Sequence, residues 1–188
     1  MRMIIGVTGA TGAPLAIALL KILKKRQDIE THLILSRWAK ITIELETSLK
    51  INEVMALANF VYSSADQAAK ISSGSFKIDG MIIIPCSMKT LAGIRSGYAE
   101  GLIGRAADVI IKEQRKLVIV PRETPLSTIH LENMLALSKM GVSIVPPMPA
   151  YYNNPENIND INNHIVTRVL DQFGLDSIEA RRWNGLPK

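Results

Sequence analysis

The 188-residue chain has one cysteine, Cys86, and its aromatic content is 5%. One cysteine allows no internal disulfide and fits a reducing compartment, so a cytoplasmic location is expected. Within "IIIPCS" it has no evident histidine partner, and the expected role is that of a small buried residue, not a nucleophile. Long apolar runs are missing as well. The stretch "LAIALLKIL" falls far short of the roughly 20 residues that a membrane span needs. The apolar start is interrupted by Gly9, Thr11, Gly12 and Pro14, so neither a signal peptide nor a transmembrane helix is expected. Low-complexity tracts and internal repeats are absent. The three histidines are not spaced as a metal pair, and there is no D-D-x-x-D-like motif to hold magnesium, so no metal is expected. The formal net charge is +5, but the basic residues are scattered and aromatic residues do not interleave with them, which argues against nucleic acid. The densest cluster, Lys21, Lys24, Lys25 and Arg26, falls at a helix end, where cations favour the macrodipole.

What the chain does have is 47% hydrophobic residues, arranged in short runs rich in Ile, Val and Leu. One domain spanning 1–188 is expected, with the segment from about 155 in subunit contacts. Strands are predicted at 2–7, 31–36, 59–63, 80–85, 116–121 and 142–147. Because these runs are continuous and not alternating, the strands are covered on both faces. Helices are predicted at about 13–26, 37–47, 50–58, 87–97, 102–114, 127–140 and 155–173. Pro14 suits a first helical turn, Ser127 an N-cap and Gly141 a helix end. The fold class is therefore α/β: three layers, α/β/α, around a doubly wound, mostly parallel six-stranded sheet.

Ligands of such sheets bind where the strands end, and the strand exits here carry polar or glycine chemistry. "GVTGATGAP" follows the first strand, Ser36-Arg37 the second, "CSMKT" the fourth, "RETP" the fifth and "MPAYYNNP" the sixth. The glycines repeat as G-x-x-G-x-x-G, not as the dinucleotide G-x-G-x-x-G, and the second strand ends in Ser36 instead of a ribose-binding acid, which disfavours NAD. No Lys follows Gly12, so the ATP-type phosphate loop fails too. Free amides at the helix start still form an anion site, where Thr11 either donates its hydroxyl or caps the helix; spacing favours capping. Ser87 to Thr90, "SMKT", opens a second helix with two hydroxyls and a lysine. Two anion sites on neighbouring loops suit a mononucleotide such as FMN. The Ser/Gly-rich stretch 71–80 is read as a loop or lid near the nucleotide end of the sheet.

Taken together and in this order, "GATGAP", "IPCSMKT", "GRAADVIIKE", "VPRETPLSTIHLENML", "PPMPAYYNNP" and "RRWNGLP" resemble the UbiX flavin prenyltransferase family, whose members were once named aromatic acid or phenylacrylic acid decarboxylases. The resemblance implies a Rossmann/flavodoxin-like fold in a homododecamer that binds reduced FMN and dimethylallyl phosphate. The allyl unit is joined to flavin N5 and C6, phosphate leaves, and the prenylated FMN serves a UbiD-type decarboxylase. Position by position, it implies that Gly9, Ala10, Thr11, Ser36, Ser87, Met88, Lys89, Thr90 and Arg122 meet the flavin. Tyr152 and Arg168 would hold the allyl phosphate, with Arg105 and Lys112 nearby. Glu46 and Glu123 match the family's acids at the reacting centre.

These residue types suit the chemistry. Breaking an allylic C–O bond places charge on the leaving phosphate, and guanidinium, ammonium and phenol donors stabilise it without a metal. Glu123 is assigned to protonating the phosphate, and Glu46 to the proton at N5 or C6 with Thr11 as relay. Glu44, two residues away, faces elsewhere, and His130 is assigned to structure or subunit packing. Arg105 and Lys112, seven apart on one helix, also read as a solvated stripe, and Arg168 as a surface charge reached from a neighbouring subunit. Three alternatives remain at this level: an FMN-dependent cysteine decarboxylase, against which stand the missing "HIEL" and the loop "PCSMKT"; a direct aromatic acid decarboxylase; and a flavin carrier.

Overall fold

In the computed structural model, residues 1–176, 182, 183 and 185 are described. The remaining positions, which include much of "RRWNGLP", lie outside the described residues. Six strands form one sheet: β1 (Arg2–Val7), β2 (Glu30–Leu35), β3 (Phe60–Ser63), β4 (Gly80–Cys86), β5 (Lys116–Pro121) and β6 (Ser143–Ile144). Their order is β3-β2-β1-β4-β5-β6, and all five pairings are parallel. The chain winds outward from β1 in one direction and then from β4 in the other, so the topological switch point lies between β1 and β4.

Successive residues of a strand point to opposite faces, and the core divides accordingly. Met3, Ile5, Val7, Ile82, Ile84, Val118 and Val120 pack on one face, beneath α1 (Ala13–Lys24), α2 (Arg37–Glu46), α3 (Ile51–Met55) and α7 (Ile158–Asp171). Ile4, Met81, Ile83, Leu117 and Ile119 pack on the other, beneath α4 (Met88–Ser96), α5 (Gly101–Lys112) and α6 (Thr128–Lys139). The central strands are buried along nearly their whole length, as the continuous apolar runs require. Cys86, at the end of β4, is buried, and desolvation pushes its thiol pKa far upward, in keeping with a structural role.

Local chemistry sets the boundaries. Ser127 caps α6 by accepting from the His130 amide at 3.3 Å, and His130 Nδ1 accepts from the Ser127 amide at 3.3 Å in return, so the histidine closes a capping box. Gly141, with φ 87°, follows α6 in the left-handed region. Strand β6 is shorter than expected. Val145 still donates to Ile119 at 2.8 Å, but Pro146 and Pro147 have no N–H to continue the ladder. Helix α7 starts at Ile158, behind an Asn157 cap that accepts from Asn159 and Asp160. The stretch 71–80 leads into the start of β4, so it lies at the amino end of the sheet and not at the nucleotide end. Arg115 fastens it there, donating to the Gly74 carbonyl at 2.8 Å and the Phe76 carbonyl at 3.2 Å.

Candidate functional site

The loops that leave β1, β2, β4 and β5 meet at the switch point. Backbone hydrogen bonds continue across them after the strands end: Ser36 donates to the Val7 carbonyl at 3.0 Å, and Arg122 to the Cys86 carbonyl at 3.0 Å. This brings Gly9, Ala10, Thr11, Ser36, Ser87, Met88, Thr90 and Arg122 to one end of the sheet. Ser36 caps α2 through the Ala39 amide at 3.0 Å, and Ser87 caps α4 through the Thr90 amide at 3.3 Å. Gly9 lies hard against α2: a Cβ there would sit 2.2 Å from the Trp38 Cβ, so no other residue fits without moving the helix.

Thr11 is not the cap of α1. Gly12 takes that position with φ 112°, and no side chain of its own caps the helix. The partner comes from the far end of α2, where Glu46 Oε2 accepts from the Gly12 and Ala13 amides, both at 2.9 Å. The anion expected at this helix start is thus supplied by the protein itself. Thr11 remains exposed, with its hydroxyl uncommitted among the described residues.

A cavity of about 460 Å³ opens beside these exits, lined by Met88, Pro121, Arg122, Glu123, Leu126 and Met148 among others. Arg122 is exposed and forms no ion pair among the described residues, leaving its guanidinium available to an anion. Glu123 is exposed beside it and accepts from the Thr124 amide at 3.2 Å. The donor set of hydroxyls, a free guanidinium and the α4 start, next to an apolar wall, fits a phosphorylated planar ring such as FMN. The Lys89 side chain is highly exposed and lies 3.9 Å from Glu100. A larger groove, about 860 Å³, runs between α1 and α7 and contains none of the expected site residues.

The cations expected around the allyl phosphate are not gathered in one chain. Tyr152 follows β6 and packs edge-on against His164 of α7, with ring centroids 5.7 Å apart and its hydroxyl 3.5 Å from Nε2. Arg168 lies one turn beyond His164 on the same helix and pairs with Asp171 at 2.5 Å. Burial, and then the Arg168 charge, lower the His164 pKa, and its Nδ1 has no partner among the described residues. Arg182, at 2.7 Å, and Arg168 hold the Asp171 carboxyl below its ordinary range.

Arg105 and Lys112 belong to α5, across the sheet from α7. Arg105 donates to the Ser72 carbonyl at 3.2 Å and pairs with Asp108 at 2.8 Å, while exposed Lys112 pairs with Glu113. Lys112 closes α5 just before β5 begins, so the full length of that strand separates it from Arg122 and Glu123. The expectation that Arg105 and Lys112 lie near Tyr152 and Arg168 therefore fails within one chain, because a buried sheet stands between them. His164, Asp171 and the capping role of Glu46 gave no sequence signal, since each depends on long-range contacts or helix phase.

Comparison with known proteins identifies the family and agrees with the fold. The model of the Flavoprotein family matches residues 1–170. A probable UbiX-like flavin prenyltransferase of Escherichia coli O157:H7 is 68% identical over 188 residues, covering 100% of this chain and 95% of the relative. A crystal structure described as a dodecameric FMN-dependent UbiX-like decarboxylase from Escherichia coli O157:H7 superposes with TM-score 0.98 at 68% identity, covering 98% of this chain and 100% of that one. AnUbiX (PadA1), crystallised with FMN and dimethylallyl pyrophosphate, gives TM-score 0.96 at 51% identity, covering 99% and 98%. With the family model matching residues 1–170 and a relative 68% identical over 188 residues, the chain belongs to the UbiX-like flavin prenyltransferases, a flavoprotein family.

Proposed function

We propose that this chain joins the dimethylallyl group of dimethylallyl phosphate to N5 and C6 of reduced FMN, releases phosphate, and passes the prenylated FMN to a UbiD-type decarboxylase in the cytoplasm. The observation that carries the reading is the convergence of the family-matched flavin residues on one switch point, with Arg122 and Glu123 at the mouth of an adjoining cavity. The solved complex of AnUbiX with FMN and dimethylallyl pyrophosphate supports the same ligand classes.

Bound reduced flavin supplies electron-rich N5 and C6. The chain's residues do the rest. Thr11, Ser36, the start of α4 and Arg122 hold and orient the flavin. As the allylic C–O bond breaks, its electron pair leaves with the phosphate, and Tyr152, Arg168, Arg105 and Lys112 stabilise that charge. Two bonds to the ring displace two protons, one from N5 and one from C6, and Glu46, with Thr11 as relay, takes them up. One is returned to the allyl double bond so that its tertiary carbon can close onto C6, and the other is matched by the proton that Glu123 delivers to the phosphate.

Because the sheet separates α5 from α7, the phosphate site is assembled from more than one copy. Exposed apolar side chains fit that assembly: Trp38 and Leu45 on α2 are 66% and 80% exposed, and Ile129 and Leu135 on α6 are exposed as well. The dodecameric relative supports a closed oligomer of the same kind.

The test is mass spectrometry of the flavin after anaerobic incubation of the protein with reduced FMN and dimethylallyl phosphate, with the diphosphate in parallel. One added C5 unit is expected from the monophosphate. Flavin of unchanged mass, or carbon dioxide released from a hydroxybenzoate or cinnamate without a second protein, would overturn the reading in favour of a carrier or a direct decarboxylase.

A further inference from the structure

We infer that Thr8, which has no contact role among the flavin residues assigned above, is the positioning residue that sets the spacing of the two principal flavin loops. Thr8 is the first residue after β1 and is 3% exposed. Its hydroxyl donates to the Pro85 carbonyl at 2.8 Å and accepts from the Ser87 amide at 2.8 Å. Its own amide also donates to the Pro85 carbonyl, at 3.2 Å.

The location explains why a side chain is needed. Strands β1 and β4 pair from Met3↔Gly80 to Gly6↔Ile83, where the ladder stops. Beyond it, among the described residues, one backbone bond joins the two exits, from the Thr8 amide to the Pro85 carbonyl at 3.2 Å, and it stops short of Ser87. At the neighbouring exits the link is backbone to backbone, Ser36 to Val7 and Arg122 to Cys86. Across the switch point the backbone link ends at Pro85, and among the described residues the link that reaches Ser87 itself passes through the Thr8 hydroxyl. The hydroxyl's proton and one lone pair are both used, which fixes its rotamer and leaves Ser87 a single position relative to Gly9.

Ser87 caps α4, so its amide position also sets where that helix begins. Moving it would shift Met88 and Thr90 away from Thr11 and widen the groove between the two loops. Threonine suits the position because its hydroxyl makes both bonds in a buried place. Valine has the same shape without the hydroxyl and would leave the Ser87 N–H and the site's geometry unsupported.

The inference rests on the assignment of these exits to FMN, and the experiment separates the two. FMN binding is measured by flavin fluorescence titration, with melting of the apoprotein and the visible spectrum of bound flavin in parallel. Thr8→Val is expected to raise the FMN dissociation constant about tenfold or more, while Thr8→Ser stays within about threefold of wild type. The spectrum of any bound flavin should also shift in the valine variant. Wild-type affinity in T8V, or equal loss in T8S and T8V, overturns the inference. If T8V does not fold, Thr8→Ala takes its place with the same expectations, and failure of both to fold overturns it as well, since the hydroxyl would then serve folding. Arg122→Ala is the control for the underlying assignment. Unchanged affinity in R122A sinks the flavin assignment itself, whereas loss in R122A beside normal affinity in T8V sinks only the role of Thr8.

Discussion

The strand exits and the outer cations are built on opposite principles. At the exits, residues far apart in sequence are drawn together by one sheet and fastened by backbone hydrogen bonds, from Val7–Ser36 to Cys86–Arg122. The cations on α5 and α7 stand on separate faces of that sheet, each held by an acid on its own helix or next to it, Asp108, Glu113 or Asp171. Under the proposed function, the first arrangement binds the flavin and the second would become a phosphate clamp only when copies meet, so flavin binding and allyl transfer should respond differently to mutation.

The largest effect should fall on the clamp alone. Arg168→Ala is expected to reduce turnover of dimethylallyl phosphate by roughly 100-fold or more, with FMN affinity unchanged. An unaltered rate would place Arg168 outside the site and favour a carrier. Lys112→Ala should behave in the same way, and mixing it with Arg168→Ala, followed by reassembly, should restore part of the activity. If the mixture stays inactive while both variants assemble, the clamp is not shared between chains.

Glu46→Gln sharpens the comparison from the other side. It keeps the shape of the α1 cap but removes the charge, so a stability loss of about 1 kcal/mol is expected together with slowed transfer. Loss of stability with full activity would reduce Glu46 to a cap. A smaller and pH-dependent effect is expected far from both regions. His32 is fully buried between Glu30 and Tyr62, at 2.9 Å from each, and burial lowers its pKa despite the nearby carboxylate. The unfolded chain therefore binds a proton on this histidine before the folded one does. Stability should be complete above the ordinary imidazole value near ~6.5 and decline as pH falls below it toward the lowered folded value. Thermal melts of His32→Phe against wild type across that range should show the slope removed. An identical slope in both proteins would assign it to other groups.

Much of the scaffold was legible in the sequence because doubly buried strands demand continuous apolar runs, and β1, β4 and β5 begin and end close to where those runs do. Caps were legible where the residue acts within its own turn, as with Ser127. They were not where the partner is distant: Glu46 reaches α1 from 34 residues away, and a threonine after a strand carries no mark of what its hydroxyl will bridge. The division of the cations between two faces was hidden for a similar reason. A spacing of seven places Arg105 and Lys112 on one side of a helix, yet says nothing about which side of the sheet that helix covers. Resemblance supplied the residue list, and the fold supplied the separation.

Cys86 offers a last use of this architecture. As the sole thiol of the chain, buried at the end of β4 and resistant to ionisation, it is shielded from a modifying reagent while the native state holds. Its rate of alkylation therefore clocks the opening of the molecule's interior, an intrinsic reporter requiring no added label.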